Sequence, residues 1–258
     1  MSERDTVIEL CGVEKSFGTQ KVLRGVDLKV LRGETLVIVG ASGQGKSVIL
    51  KHMLGLIKPD AGVIKTFGKD FHKLGKEEVK EVRKRYGVLF QGAALLDSLT
   101  VFDNVAIPLR ERTSLKESEV AEIVRAKLDM MDLHDVEEKY PAQVSGGMRK
   151  RIGLARALAL DPEVVFFDEP TTGLDVHKSN EIYRLFHKTR ERLGYTSVIV
   201  SHDAPKIFKL ADKVALLAEG RIQACLGPEE FQLSDNPHAR DYVHTTMGPL
   251  YDSAREEN

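Results

Sequence analysis

The sequence is poor in cysteine, in long apolar runs and in excess charge of either sign, and each shortage removes a class of function. Only Cys11 and Cys225 occur in 258 residues, far apart and without His or Cys neighbours at metal-ligand spacing. That excludes a disulfide framework and a zinc site built on paired cysteines, and leaves two small buried or half-buried residues. The longest apolar runs, such as Leu36-Val37-Ile38-Val39 and Val164-Val165-Phe166-Phe167, fall far short of the roughly 18 residues a membrane-crossing helix needs. The first residues, Met1-Ser2-Glu3-Arg4-Asp5, are polar and mixed in charge, with no apolar stretch behind a basic head of the kind that directs secretion, so a cytoplasmic location is expected. Lys and Arg number 38 against 39 Asp and Glu, a net charge of −1. No whole-chain field draws such a protein to polyanions, and no nucleic-acid partner is expected.

What remains is an ordinary folded composition, 42% hydrophobic and 30% charged, in a chain long enough for one large domain or two small ones. Residues 7–13 and 22–30 alternate in polarity, and Asp60-Ala61-Gly62 opens another short β segment ending near Phe67; these suggest an antiparallel β layer. Four apolar runs, at 35–39, 87–90, 163–167 and 196–200, have the length and β-branched content of strands buried on both faces, which implies a parallel sheet flanked by helices. Between Gln91 and Ser145 the periodicity turns helical. Ser114 and Glu117 read as a capping box, followed by Val120, Ile123, Val124, Leu128 and Met131 at helical spacing, so a helical subdomain inserted into an α/β core is expected. The segment Lys69–Arg85, with seven basic against four acidic residues, reads as a solvated helix face.

The sharpest local signal is Gly40-Ala41-Ser42-Gly43-Gln44-Gly45-Lys46-Ser47, a G-x-x-x-x-G-K-S pattern placed after the strand at 35–39 and before a helical pattern from Val48 to Leu56. That is the setting a phosphate-cradling loop requires. Glycines let successive backbone N–H groups face inward, the helix N-terminus adds partial positive charge, Lys46 can reach the β- and γ-phosphates, and the Ser47 hydroxyl can coordinate Mg²⁺. The candidate nucleotide-binding set is Gly40, Ser42, Gly43, Gln44, Gly45, Lys46, Ser47 and Val48, with a nucleoside triphosphate and Mg²⁺ as the expected ligands. Further on, Val164-Val165-Phe166-Phe167 runs into Asp168-Glu169-Pro170. Alone, such an acidic pair also fits a helix start; beside a phosphate loop it fits one carboxylate for the metal, Asp168, and one for the attacking water, Glu169.

Ser145-Gly146-Gly147-Met148 opens a helical pattern from Arg149 to Leu160 that Asp161-Pro162 stops. By itself it is a Ser N-cap followed by glycines. Together with Gln91 after a strand, Asp168-Glu169, Gly173-Leu174-Asp175 and Ser201-His202-Asp203, in that order, it resembles the ATP-binding cassette (ABC) ATPases over about residues 7–227. The resemblance implies a P-loop NTPase (RecA-like) α/β core with an antiparallel β subdomain and an inserted helical subdomain. As a single domain, 1–258, it would divide into the core at about 1–90 and 152–227, the helical insertion at about 91–151 and a C-terminal extension at about 228–258.

By the same resemblance, Phe17 stacks on adenine, although a Phe exposed in a turn would look the same. Gln91 reaches the metal and water as well as joining the core to the insertion, and His202 contacts the γ-phosphate. Ser145, Gly146, Gly147 and Met148 cap the nucleotide of a second copy, and Asp175 crosses the homodimer interface. The proposed Mg²⁺ ligands are Ser47, Gln91 and Asp168, and the catalytic residues Glu169, His202 and Gln91.

Met148, where the family signature usually has Gln, followed by basic residues, and the run from Gly92 to Leu109 are similar to the ATPases of Mla and Mce-type phospholipid transporters. So is the tail Ser234-Asp235-Asn236-Pro237 leading to Tyr242 and Met247-Gly248-Pro249, although a frayed terminus would read the same. This implies a peripheral subunit on the cytoplasmic face of the inner membrane, with an integral membrane permease, an Mce-domain lipid carrier and a STAS-domain protein as partners. The apolar stretch Ala93–Pro108, with Leu95, Leu96, Leu99, Val101 and Phe102, reads as the permease-docking surface, although core burial of half of these residues fits equally. A soluble cassette working in iron–sulfur assembly, and the ATPase of a lipoprotein-release or amino-acid transporter, are the alternatives.

Overall fold

A computed structural model describes residues 5–202 and 206–248. Asp203, Pro249 and the last residues of the C-terminal extension lie outside the described residues. In chain order the elements are β1 (Thr6–Phe17), β2 (Gln20–Leu31), β3 (Thr35–Val39), α1 (Lys46–Met53), β4 (Ala61–Thr66), β5 (Lys69–Asp70), α2 (Lys76–Lys84), β6 (Tyr86–Leu89) and α3 (Val101–Arg112). They continue with α4 (Glu117–Met130), α5 (Gly146–Ala157), β7 (Val164–Asp168), α6 (Val176–Leu193), β8 (Thr196–Val200), β9 (Lys213–Ala218), β10 (Arg221–Leu226), α7 (Pro228–Leu233) and α8 (Pro237–Met247). The chain divides into two units, Met1–Val79 with Ser197–Asn258, and Lys80–Thr196.

In the first unit, β2-β1-β4-β5 form an antiparallel sheet. Its alternating residues Leu10, Val13, Val26, Leu28 and Val30 are buried, as the polarity pattern requires of a sheet with one face covered. In β3 all five residues are buried, and the strand lies between β8 and β9, parallel to both, with β10 antiparallel at the edge. The described part of the C-terminal extension is docked: Phe231, Ala239 and Val243 are buried, and the Phe231 ring packs edge-on against Phe208 at 5.5 Å and Tyr242 at 6.3 Å. Three aromatic rings so arranged stabilise by roughly 0.5–1.5 kcal/mol per pair beyond their area.

The second unit holds the parallel pair β6–β7 and the helices α2 to α6. Phe166 packs edge-on against Tyr86 at 5.0 Å and Phe167 against Phe186 of α6 at 4.3 Å. Helix α3 is capped by Thr100, whose side chain accepts from the Asp103 amide. One turn in, the fully buried Asn104 accepts at Oδ1 from the Leu96 amide, and its Nδ2 donates to the carbonyls of Leu96, Leu99 and Thr100. That single amide satisfies backbone groups of the turn from Leu96 to Thr100.

Helix α4 begins later than the Ser114/Glu117 pattern predicts. Its N-cap is Lys116, whose amide donates to Glu119. The Glu117 carboxylate is instead held in a fork by the Arg110 guanidinium at 2.8 and 2.9 Å, which takes it away from the backbone. Of the basic segment 69–85, Lys76–Lys84 forms α2, a solvated helix in which Val82 is the buried residue, whereas Lys69–Asp70 pairs as β5 and Phe71 is buried.

Two histidines in the first unit, His52 buried and His72 half-buried, each enclose a ring nitrogen with no hydrogen-bond partner. His52 of α1 bonds the Val48 carbonyl through Nδ1 at 2.7 Å, while its Nε2 and that of His72 have no partner. Burial is the first cause holding both imidazoles below the usual histidine range, so both fold neutral. The unfolded chain takes up protons near pH 6.5 that the folded one refuses, so this stability is complete above that pH and declines below it. We expect the urea midpoint to fall between pH 7 and pH 5.5, and His52→Leu to flatten part of that fall; an unchanged slope in the variant would reject the assignment.

Candidate functional site

In the first unit the chain leaves β3 through Gly40, whose φ of 149° and position leave no room for a side chain: an added Cβ would lie 2.3 Å from the Leu217 carbonyl oxygen. Gly45, at φ 105°, serves as the N-cap of α1 and offers no side-chain oxygen to the first turn. The first turn of α1 therefore has no side-chain cap, an arrangement compatible with an anion site at a helix N-terminus. Lys46 is only 7% exposed and donates from Nζ to the Gly40 carbonyl at 2.8 Å and the Ala41 carbonyl at 3.1 Å. Ser42 and Gly43 are exposed at the tip, and Ser47 and Val48 are half-buried in the first turn of α1. Gln44 accepts at Oε1 from the Glu219 amide at 3.2 Å, a tie to the β9–β10 turn that the sequence analysis missed because the two positions are 175 residues apart.

The register β3↔β8 pairs Ile38 with Val200, and the Ser201 amide donates to the Ile38 carbonyl at 3.2 Å. His202 thus leaves the sheet at the same end as Gly40, and it is exposed there. Phe17 ends β1 with half its surface exposed, and the Lys15 ammonium lies 5.6 Å from its ring centroid. A flat aromatic face next to a cation suits the stacking role expected of it.

In the second unit, β6 and β7 are parallel with Leu89 opposite Phe167. Gln91, two residues beyond Leu89, and Asp168-Glu169, directly beyond Phe167, therefore leave the strand pair at one end. Glu169 has φ 47°, a left-handed backbone that a non-glycine residue adopts at a cost and that concentrates at functional positions. The Thr172 amide returns to its carbonyl at 3.2 Å, closing the turn that aims the side chain.

Ser145 caps α5, accepting at Oγ from the Met148 amide at 3.3 Å. Gly146 and Gly147 follow without bulk at the helix start. Asp175 caps α6, accepting from the Lys178 amide at 2.9 Å and paired with the Lys178 ammonium at 2.8 Å. That ammonium holds the Asp175 carboxyl below the usual carboxylate range. The Lys178 stem passes the signature turn, 3.9 Å from where a Gly147 Cβ would stand. A cleft of about 370 Å³ opens here, lined by Ser145, Gly147, Met148, Lys178, His134 and Arg151 among others. Lys178 was missed from sequence, though its spacing of three from Asp175 is the signal that could have found it.

Among the described residues no cluster of three or more His, Cys, Asp or Glu side chains could hold a metal unaided. Ser47 in the first unit offers a hydroxyl oxygen, and Gln91 and Asp168 in the second an amide and a carboxylate oxygen, each a donor type that suits Mg²⁺. No helix among the described residues is long and apolar enough to cross a membrane.

Comparison with known proteins agrees with this geometry. The chain is 40% identical over 245 residues to the probable ribonucleotide transport ATP-binding protein mkl of Mycobacterium leprae, covering 94% of this chain and 70% of that one. It is 38% identical over 218 residues to the intermembrane phospholipid transport system ATP-binding protein MlaF of Haemophilus influenzae, covering 84% and 83%. Its fold matches the ATP-binding cassette MJ0796, solved as a dimer in a post-hydrolysis state bound to ADP and Pi. That match has TM-score 0.78 and 29% identity over 86% of this chain and 98% of that one. Residues 23–172 match the ABC transporter family. The chain belongs to that family, as its ATP-hydrolysing cassette.

Proposed function

We propose that this cassette energises an ABC-type phospholipid transporter of the cell envelope, one that maintains outer-membrane lipid asymmetry. The similarity to MlaF over most of both chains carries this reading, and the run Gly92–Leu109, which resembles the same transporters, supports it. In the reading, two copies form a homodimer that sandwiches two ATP molecules. Phe17 stacks on adenine; Gly40, Ser42, Gly43, Gln44, Gly45, Lys46, Ser47 and Val48 hold the phosphates. Mg²⁺ neutralises phosphate charge, with Ser47, Gln91 and Asp168 as its protein ligands. Glu169 orients and polarises the attacking water, His202 contacts the γ-phosphate, and Ser145, Gly146, Gly147 and Met148 of one copy close on the nucleotide of the other beside Asp175.

The stretch Ala93–Pro108 is read as the surface that docks on an integral membrane permease. Ala93, Val101, Val105 and Ala106 are buried in this chain's own core, but Leu96 is half exposed and the turn around it is offered to a partner. The cassette would then sit peripherally on the cytoplasmic face of the inner membrane, with an Mce-domain lipid carrier and a STAS-domain protein in the same assembly. The ribonucleotide name of the mycobacterial relative makes cargo the point to test.

Lys46→Ala is expected to weaken ATP binding by about 100-fold, the worth of charge-assisted bonds to phosphate; unchanged affinity by calorimetry would refute the phosphate-loop role. Glu169→Gln is expected to retain ATP binding, accumulate a stable ATP-bound dimer and lower turnover by about 100-fold or more. Wild-type turnover in that variant would remove Glu169 from the chemistry. Affinity purification of the tagged chain from detergent-solubilised membranes is expected to recover a permease together with an Mce-domain protein. A different permease would change the cargo, and recovery of no membrane protein would favour a soluble cassette.

A further inference from the structure

Helix α5 presents Lys150, Gly153 and Arg156 on one face, three residues apart each time, and all three meet the segment that carries Gln91. The Lys150 ammonium donates to the Gln91 carbonyl. The Arg156 guanidinium donates through one Nη to the Ala94 carbonyl at 2.7 Å and through the other to the Ala93 carbonyl at 2.5 Å. Between them Gly153 lets the backbone approach so closely that a Cβ there would lie 2.8 Å from Leu89 Cδ1 and 3.0 Å from Ala93 Cβ. The segment so gripped is itself strained: Ala93 and Ala94 stand at φ 61° and 48°, where alanine has no intrinsic reason to be.

Neither cation is fully exposed: Lys150 is buried and Arg156 half-buried. Lys150 is 6% exposed, and burial pushes both it and Arg156 below their ordinary basicity. A buried cation that bonds a backbone carbonyl holds that carbonyl more firmly than a neutral donor would, because the alternative is an unsatisfied charge in low dielectric. Together the two cations on one helix fix the carbonyls of Gln91, Ala93 and Ala94.

We infer that Lys150 and Arg156 are positioning residues that set the Gln91 side chain by clamping the carbonyls of Gln91, Ala93 and Ala94 to α5, so that the helix opening at Ser145-Gly146-Gly147 and Gln91 move as one body. The inference rests on the reading of Gln91 as a ligand of nucleotide-bound Mg²⁺. A purely structural brace would lower stability without changing how the enzyme responds to Mg²⁺; a positioning pair changes that response.

The test is steady-state ATP hydrolysis by the full chain against free Mg²⁺, with Gln91→Ala as reference. Lys150→Met is expected to raise the Mg²⁺ concentration for half-maximal rate and to lower kcat, each by about tenfold and in the same sense as Gln91→Ala, with the KM for ATP changed less than about twofold. Lys150→Arg is expected to restore both. A Mg²⁺ response in Lys150→Met identical to wild type, with Gln91→Ala affected, overturns the clamp. Should Lys150→Met fail to fold, Arg156→Lys, which keeps the charge and loses the fork, is read by the same split. If Gln91→Ala itself leaves the Mg²⁺ response unchanged, it is the reading of Gln91 that fails. The clamp is then decided by hydrogen exchange at the Ala93 amide, which donates to Phe90 at 2.8 Å. Exchange about tenfold faster in Lys150→Met sustains it, and unchanged exchange overturns it.

Discussion

A lysine ammonium out of water is the constraint around which the phosphate loop is arranged. Lys46 sits at the first position of α1, 7% exposed, and a charge so placed must be hydrogen-bonded or lose its proton. By donating to the carbonyls of Gly40 and Ala41 it ties the end of the loop to its beginning, so the turn closes before any ligand arrives. The glycines follow from that closure. Gly40 must pass the Leu217 carbonyl, and Gly45 must cap the helix while its Cβ position is filled by Val22 Cγ1 at 2.7 Å. The doubly buried strand β3 then fixes where the loop stands, because a strand with all five residues buried cannot slip without exposing its neighbours.

Backbone strain gathers where strands of the second unit end. Glu169, Ala93 and Ala94 all adopt left-handed φ, each at a cost of order 1–2 kcal/mol. Each is held by something specific: the Glu169 carbonyl accepts from the Thr172 amide, and those of Ala93 and Ala94 accept from Arg156. Residues in regular strands need no such external support. Geometry that must be imposed by partners is geometry whose loss is felt first at the side chains it aims, here Glu169 and Gln91.

Which of these features can be read from the chain depends on how local their cause is. The four buried strands were legible because burial on both faces leaves an uninterrupted apolar run, and the observed strands start within a residue of the expected ones. The phosphate loop was legible because its glycines and lysine are consecutive. The start of α4 was not, because two glutamates compete for the cap and the decision is made by Arg110, seven residues before Glu117. The docked tail was undecidable from its own residues, since Phe231 is buried against Phe208 from a different part of the chain. The tie of Gln44 to Glu219 and the grip of Lys150 on Gln91 are of the same kind: bonds to backbone groups across 175 and 59 residues, which leave no pattern in sequence.

The turn between Gln91 and α3 shows how an exposed leucine can be useful rather than a liability. Leu96 is half exposed and Phe90 38% exposed, yet the chain that presents Leu96 is held by four hydrogen bonds from Asn104, a residue with no exposed surface. Its neighbour in α3, Arg110, is locked between Asp103 and Glu117. A loop ordered by its own protein has already met the conformational cost that binding would otherwise impose, roughly 1–2 kcal/mol for each backbone residue fixed. Burial of the leucine against a partner, at about 25 cal/mol per Å² of apolar surface, then contributes to association instead of being spent on ordering the turn. If the proposed docking holds, the rigidity with which Asn104 presents Leu96 lowers the cost of association.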